Sequence, residues 1–384
     1  MLSTVDGVGP MTLARLVAAF GSAAAVLEAA SAPRAASALV AATRVEDEPG
    51  RAMSVTVADA IVDAAGRCRQ ILAALDATGL TILTVDDAEY PPRLRAIDLP
   101  PHVIYVRGDA TALQTPAAVA IVGTRRPSEA GRLVSARIAA ALTAVGAVVV
   151  SGLAVGIDGA AHAAVVSARG RTVAVLGGGL DRLFPRAHVA LAREIVASGG
   201  ALVSELPPAA SAVPGTFPRR NRVISGLSQA TIVVEAGASS GALITASWAL
   251  EQGRECFAVP GSIDSPTSAG CLALLRDFPG QVRIVAGIPQ LIADLEIALP
   301  DAAAQPALAV PVEAVLGALG IGPRRIAAEL LAGRSTADEL VAATGFTIAG
   351  VLGALTLLES RGLVAGVYGR YRAIGQLATA AAVR

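Results

Sequence analysis

The sequence predicts an α/β protein with a doubly wound, mostly parallel sheet, preceded by a small helical domain and followed by a winged-helix module. Three observations predict the sheet. Short β-branched runs recur between residues 118 and 261, each separated by roughly a helix's worth of chain. The runs are almost continuously apolar, as strands covered on both faces require. Glycine, serine and arginine gather just after them, at the carboxyl ends of the strands where ligands of such sheets bind.

Residues 1–80 read as helical. "LSTVDGVGPMTLARLVAAFGS" places a Gly-Val-Gly-Pro turn between two apolar-periodic runs, the pattern of a helix-hairpin-helix whose amides can hold a phosphate. A small helical packing domain is the simpler reading, because arginine is scarce around that turn. "RVEDEPGR" (44–51) reads as a surface loop. Residues 81–297 hold the sheet, with strands expected in "AVAIVG" (118–123), "AVVV" (147–150), "TVAVLG" (172–177), "ALVS" (201–204), "ATIVVEA" (230–236) and "CFAVPG" (256–261). Residues 298–311 form an Ala/Pro-rich linker. In 312–384 a capping box in Thr336 and Glu339 opens a helix, Gly345 turns it, and a second helix carries Ile348, Val351, Leu352, Leu355 and Leu358 on one face. An alternating hairpin follows, which completes the winged-helix pattern.

Composition limits the function. The chain has 31 basic and 31 acidic residues, so it cannot coat nucleic acid through bulk charge, and any polyanion site must be local. It contains no lysine, and arginine supplies every side-chain cation. Cys68, Cys256 and Cys271 lack metal-ligand spacing and read as small core residues or buried thiols of a reducing compartment, so no metal is expected. "MLSTVDGVGP" lacks the pattern of a secretory signal. Residues 138–157 are uncharged over a membrane-like length, but break at Gly146 into the end of a helix and a buried strand. A cytoplasmic, soluble protein without a membrane partner is expected.

Four loops follow expected strands: "GTRRPSEAG" (123–131), "SGLAVGIDGAAH" (151–162), "GGGLDRLFPRAH" (177–188) and "GASSGALITA" (237–246). Glycine admits a ligand close to the backbone, and a helix starting at each loop presents unpaired N–H groups. "FPRRNR" adds Arg219, Arg220 and Arg222. With Pro218 at the first helical turn, Val223, Ile224 and Leu227 form the buried face and Arg220 lies in the same sector one turn earlier, over the strand ends. The structural alternative is a solvated basic face, or pairing with Glu205 and Glu235. No dinucleotide or P-loop fingerprint is present, so no cofactor is expected. Asp158 and His162 are four residues apart, but a capping aspartate and a packed histidine explain them without catalysis.

These segments carry a resemblance. "YPPRLRAIDLPPHVIYVRG", "AIVGTRRPSEAG", "VSGLAVGIDGAAH", "VAVLGGGLDRLFP", "ALVSELPP", "FPRRNRVISGLS" and "VEAGASSGALITASWALEQGRECFAVPGSI" resemble, in order and spacing, the motifs of the DNA-processing protein A (DprA/Smf) family over residues 90–276. The resemblance implies a Rossmann-like domain that binds single-stranded DNA as a homodimer, without catalysis, and loads the recombinase RecA in natural transformation. It implies phosphate contact by Arg125 in the loop of Gly123, Thr124 and Arg126. It extends to Ser151, Gly152, Gly156 and Asp158, and to Phe217, Arg220, Asn221 and Arg222. Ser240, Gly241 and Thr245 belong to it, as does Arg186 after "LFP". A nucleoside-phosphate-binding or hydrolysing enzyme on a related fold is the alternative, with Asp158 or Glu235 acting. Leu272, Phe278 and Pro279 depart from the family pattern. The second helix of 312–384 exposes no arginine, so base reading in a major groove is not expected. Duplex contact would fall to Arg361, Arg370 and Arg372, and a protein partner suits the module as well.

Overall fold

The computed structural model describes residues 1–44, 52–297, 316–317, 319–361, 363–367, 370–373 and 377. The expected linker lies outside them, as does all but the first residue of the expected 44–51 loop. The chain divides into two compact units, Met1–Asp301 and Ala302–Arg384.

The first unit opens with five helices, α1 (Pro10–Phe20), α2 (Ala23–Ala30), α3 (Ala35–Ala42), α4 (Val55–Gly66) and α5 (Cys68–Asp76). Pro10 fits the first turn of α1 because the N–H it lacks would have no helical partner there. Leu16, Val26, Leu39 and Ile61 are fully buried in the centre of this group. The run before the Gly-Val-Gly-Pro turn forms only a 3-10 turn, Leu2–Thr4, and not a paired helix.

Nine strands follow: β1 (Thr81–Thr84), β2 (Val103–Gly108), β3 (Ala118–Val122), β4 (Val148–Ser151), β5 (Thr172–Leu176), β6 (Ala201–Ser204), β7 (Ala230–Val233), β8 (Glu255–Ala258) and β9 (Val282–Ile284). They form one sheet in the order β1-β2-β6-β5-β4-β3-β7-β8-β9. β6 through β9 along that order are parallel, and β1 and β2 extend the β6 edge antiparallel. The six apolar runs read from the sequence supply β3 to β8. β1 and β9 are half-exposed, so no continuous apolar run marks them, while β2 holds the run Val103–Val106 that the sequence reading did not assign to a strand.

Helices α6 (Pro92–Arg95), α7 (Glu129–Ala144), α8 (Ile157–Ser167), α9 (Val189–Ala197), α10 (Thr216–Leu227), α11 (Gly241–Glu251), α12 (Ala269–Asp277) and α13 (Ile288–Asp294) connect the strands. Both sheet faces are covered. Val223, Ile224 and Leu227 of α10 join the core on one face, and Ile138 and Leu142 of α7 join that on the other. The chain runs outward from β3 to β6, returns through α10, and continues from β7 on the opposite side of β3. This reversal opens a crevice at the carboxyl ends of β3 and β7.

The second unit contains α14 (Ile321–Leu331), α15 (Ala337–Thr344), α16 (Ile348–Ser360) and an antiparallel pair, β10 (Val364–Val367) and β11 (Arg370–Ala373). The Thr336–Glu339 capping box is formed, and Gly345 turns with φ 71°. Val351, Leu355 and Leu358 are buried, but Ile348 and Leu352 are 49% and 43% exposed, so the apolar face is narrower than the sequence pattern implies. Among the described residues, no single helix is long and apolar enough to cross a membrane.

Candidate functional site

The crevice contains a cavity of about 590 Å³. The loop after β3 contributes Gly123, Thr124 and Arg125, α10 contributes Phe217, Arg220 and Asn221, and the start of α11 contributes Ser240, Gly241 and Thr245. Local chemistry fixes each wall. The Ser128 hydroxyl accepts from Gly131 N–H and caps α7, while Glu235 accepts from the Ser128 amide at 3.0 Å and holds this loop against the end of β7. The Ser240 hydroxyl caps α11 by accepting from Ala242 N–H at 3.3 Å. The Asn221 amide donates to the Gly241 carbonyl at 3.1 Å, tying α10 to that cap. The helix amides and dipole at this end favour an anion.

Arg125 is exposed and has no carboxylate partner among the described residues. Its guanidinium lies 5.4 Å from the centre of the Phe217 ring, an arrangement that orients the cation without neutralising it. Phe184, which sequence reasoning did not select, sits 5.7 Å from Phe217 and is exposed. Only its place in "LFPR", beside Arg186, could have drawn notice. Ser239 and Pro214 also line the cavity and were not selected.

The floor is a buried polar group rather than an open cationic one. Arg220 is buried and donates to the carbonyls of Gly152, at 2.9 Å, and Val175. Burial lowers its pKa to about 10, so it stays protonated at neutral pH. Asp158 accepts from the amides of Gly152 and Ala154 at 3.1 and 3.4 Å. Burial raises its pKa, opposed by the charge of Arg220 and by those amides. Asp158 therefore organises the loop after β4 instead of capping α8. This charged floor keeps the loops in place from below.

Several expected positions lie elsewhere. Arg222 is corrected: it forms a buried ion pair with Glu205 at 2.5 Å, because two residues beyond Arg220 the helix has turned by about 200°, away from the crevice. Ser151 is also corrected, since it is buried and spends its proton on the Ile121 carbonyl at 2.6 Å. Gly156 takes φ 94°, and a Cβ there would collide with the Thr124 carbonyl, so its contribution is to let two loops touch. Gly152 lies under Arg220, where a Cβ would meet the guanidinium at 2.5 Å. Arg126 is exposed beside the cavity without lining it, and Arg186 lines a neighbouring groove.

His162 is buried against Thr172 at 2.8 Å, as a packed histidine. Cys256 and Cys271 are buried free thiols, with pKa values pushed up by burial to about 12 and 11. No group of three metal-ligating side chains occurs among the described residues. Near the family departures, α12 ends at Phe278 and the chain turns through Gly280, at φ 79°, into β9.

Residues 81–294 match the family described as DNA recombination-mediator protein A. The chain belongs to this family. The DNA processing protein DprA of Bacillus subtilis is 43% identical over 207 residues, which cover 54% of this chain and 69% of the relative. The structure of DNA processing protein A from Streptococcus pneumoniae is similar with a TM-score of 0.62 at 28% identity, covering 76% of this chain and 95% of that one. A second structure of DNA processing protein A, from Helicobacter pylori, was described for its single-stranded DNA binding mode. It is similar with a TM-score of 0.51 at 30% identity, covering 56% and 95% of the two chains.

Proposed function

We propose that this chain binds single-stranded DNA in the β3/β7 crevice and acts as a cytoplasmic, non-catalytic recombination mediator. In this reading it protects incoming strands and loads RecA during natural transformation. The observation that carries the reading is Arg125, an exposed guanidinium without a carboxylate partner among the described residues, placed over a cavity walled by loop glycines and helix amides. Family membership supports it, as does the single-stranded DNA binding mode described for the H. pylori protein. Arg125 and the start of α11 hold a phosphate, Asn221 and Thr124 position the loops around it, and Arg126 and Arg186 extend the positive rim. Arg220 sustains the site from beneath.

The finer organisation belongs to the same proposal. Residues 81–297 are the DNA-binding domain and act as a homodimer, 1–80 are a small helical domain, and 298–311 link them to a winged-helix module in 312–384. That module contacts a protein or duplex DNA through Arg361, Arg370 and Arg372, which are exposed. The hydrolytic alternative finds little support in the geometry, since Asp158 and Glu235 are both engaged by backbone amides. A mobility-shift titration tests the proposal. The native chain retards single-stranded oligonucleotides of any sequence in preference to duplex, and Arg125→Ala weakens all of them alike. Binding unaffected by Arg125→Ala removes this crevice from the interface.

A further inference from the structure

A second and larger cavity, about 1020 Å³, lies along α9 and the loop that precedes it. Four arginines line it, Arg107, Arg182, Arg186 and Arg193, against one carboxylate, Asp181. Asp181 is committed to Arg107 at 2.8 Å, and Arg107 also donates to the Leu180 carbonyl at 2.7 Å. Three cations are left over. Arg182 touches only the Ser211 hydroxyl, at 3.1 Å, and Arg186 and Arg193 have no polar partner among the described residues. In a chain of zero formal net charge, such a local excess marks an anion surface.

The groove is continuous with the crevice. Phe184 lines both this groove and a small cavity that it shares with Arg125, Phe217 and Arg220. Arg186 and Arg193 lie seven positions apart, roughly 10 Å at about 1.5 Å per residue. That spacing suits a chain of phosphates, which can engage the arginines one after another along the groove. Leu180, Ala192 and Leu202 form a buried floor, and Leu183, Val189 and Val196 are half-buried along the walls. The charged part of the lining is guanidinium, and beside it stands the half-exposed ring of Phe184, a combination that grips a backbone and stacks a base.

Building on the proposed function, we infer that the bound strand leaves the crevice over Phe184 and continues along the α9 groove, where Arg182 and Arg193 hold further phosphates. The footprint is therefore longer than the crevice, and the two segments are separable. The test is fluorescence anisotropy on the full chain, with oligothymidylates of increasing length, at several salt concentrations. Arg182→Ala with Arg193→Ala is expected to leave the shortest binding oligonucleotides unaffected and to weaken long ones on the order of tenfold, lowering the log-log salt slope by about 0.7 for each phosphate no longer held. Arg193→Glu gives a larger loss with the same length dependence. Both arginines are exposed, so folding is retained, and a circular dichroism melt checks it. If Arg125→Ala weakens every length while the groove variants match the native chain, the groove is overturned and the crevice stands. An effect equal at all lengths, or competition for the groove by polyglutamate but not by DNA, also overturns it. If the native chain binds no oligonucleotide at low salt, the crevice and groove fail together.

Discussion

At the scale of single residues, three arginines that look equivalent in "TRR" and "RRNR" have different physical roles. Arg125 is exposed and unneutralised, Arg220 is a buried donor to two carbonyls, and Arg222 is half of a buried ion pair. The apolar spacing of Val223, Ile224 and Leu227 made the position of Arg220 legible. Pairing with Glu205 stood as the alternative for the whole cluster, but that Arg222 alone would take it was not legible, because Glu205 approaches from 17 residues away across a fold that local periodicity does not encode. Removing one member of a buried pair strands the other, so Arg222→Ala is expected to cost about 3 to 5 kcal/mol of stability. Oligonucleotide affinity measured below its melting temperature stays at the native value; a drop there would return Arg222 to the interface.

His162 gives a prediction of a different kind. The Thr172 hydroxyl donates to the Val149 carbonyl at 2.6 Å, so Nδ1 of His162 donates to Thr172 and Nε2 is left as a buried acceptor without a partner. Burial holds its pKa down to about 3, below the ordinary 6.5. The folded state therefore binds fewer protons, and this stabilisation is present above pH 6.5 and lost as pH falls towards 3. His162→Gln is expected to flatten the fall in melting temperature across that window. An unchanged profile would show that other groups set the acid limit.

At the scale of elements, the site depends on loops that touch one another. Gly156 sits in the left-handed region against the Thr124 carbonyl. Alanine there meets both a steric and a backbone penalty, costing at least about 1 kcal/mol and shifting the Arg125 loop. Gly156→Ala should therefore lose oligonucleotide affinity without losing the sheet, read by paired anisotropy and circular dichroism. Ser240→Ala removes the α11 cap, at about 1 kcal/mol. The continuous apolar runs made β3 to β8 legible. β1 and β9 were hidden because an edge strand buries too little to need an unbroken apolar run, whereas β2, paired on both sides, has such a run in Val103–Val106 that was not assigned to a strand. The glycine-rich loops were legible as a group, but sequence could not separate residues that face the cavity from those, such as Ser151, that support it from behind.

At the scale of the whole molecule, the chain holds two units with their own cores. Leu319, Ile326, Leu340, Val351 and Leu358 pack together in the second unit, separately from the sheet. Calorimetry should accordingly resolve two transitions, and a single one would show that the units unfold together. Overall neutrality is compatible with a polyanion partner because arginines without a carboxylate partner among the described residues, Arg125, Arg186 and Arg193, line neighbouring cavities of the first unit. The central claim is that these guanidiniums and loop amides capture a phosphate backbone. The slope of log affinity against log salt for the full chain on oligothymidylate tests it most directly. Electrostatic capture predicts a steep linear decline, at about 0.7 per phosphate contacted. An affinity indifferent to salt, or equal for an oligomer with an uncharged backbone, would contradict it.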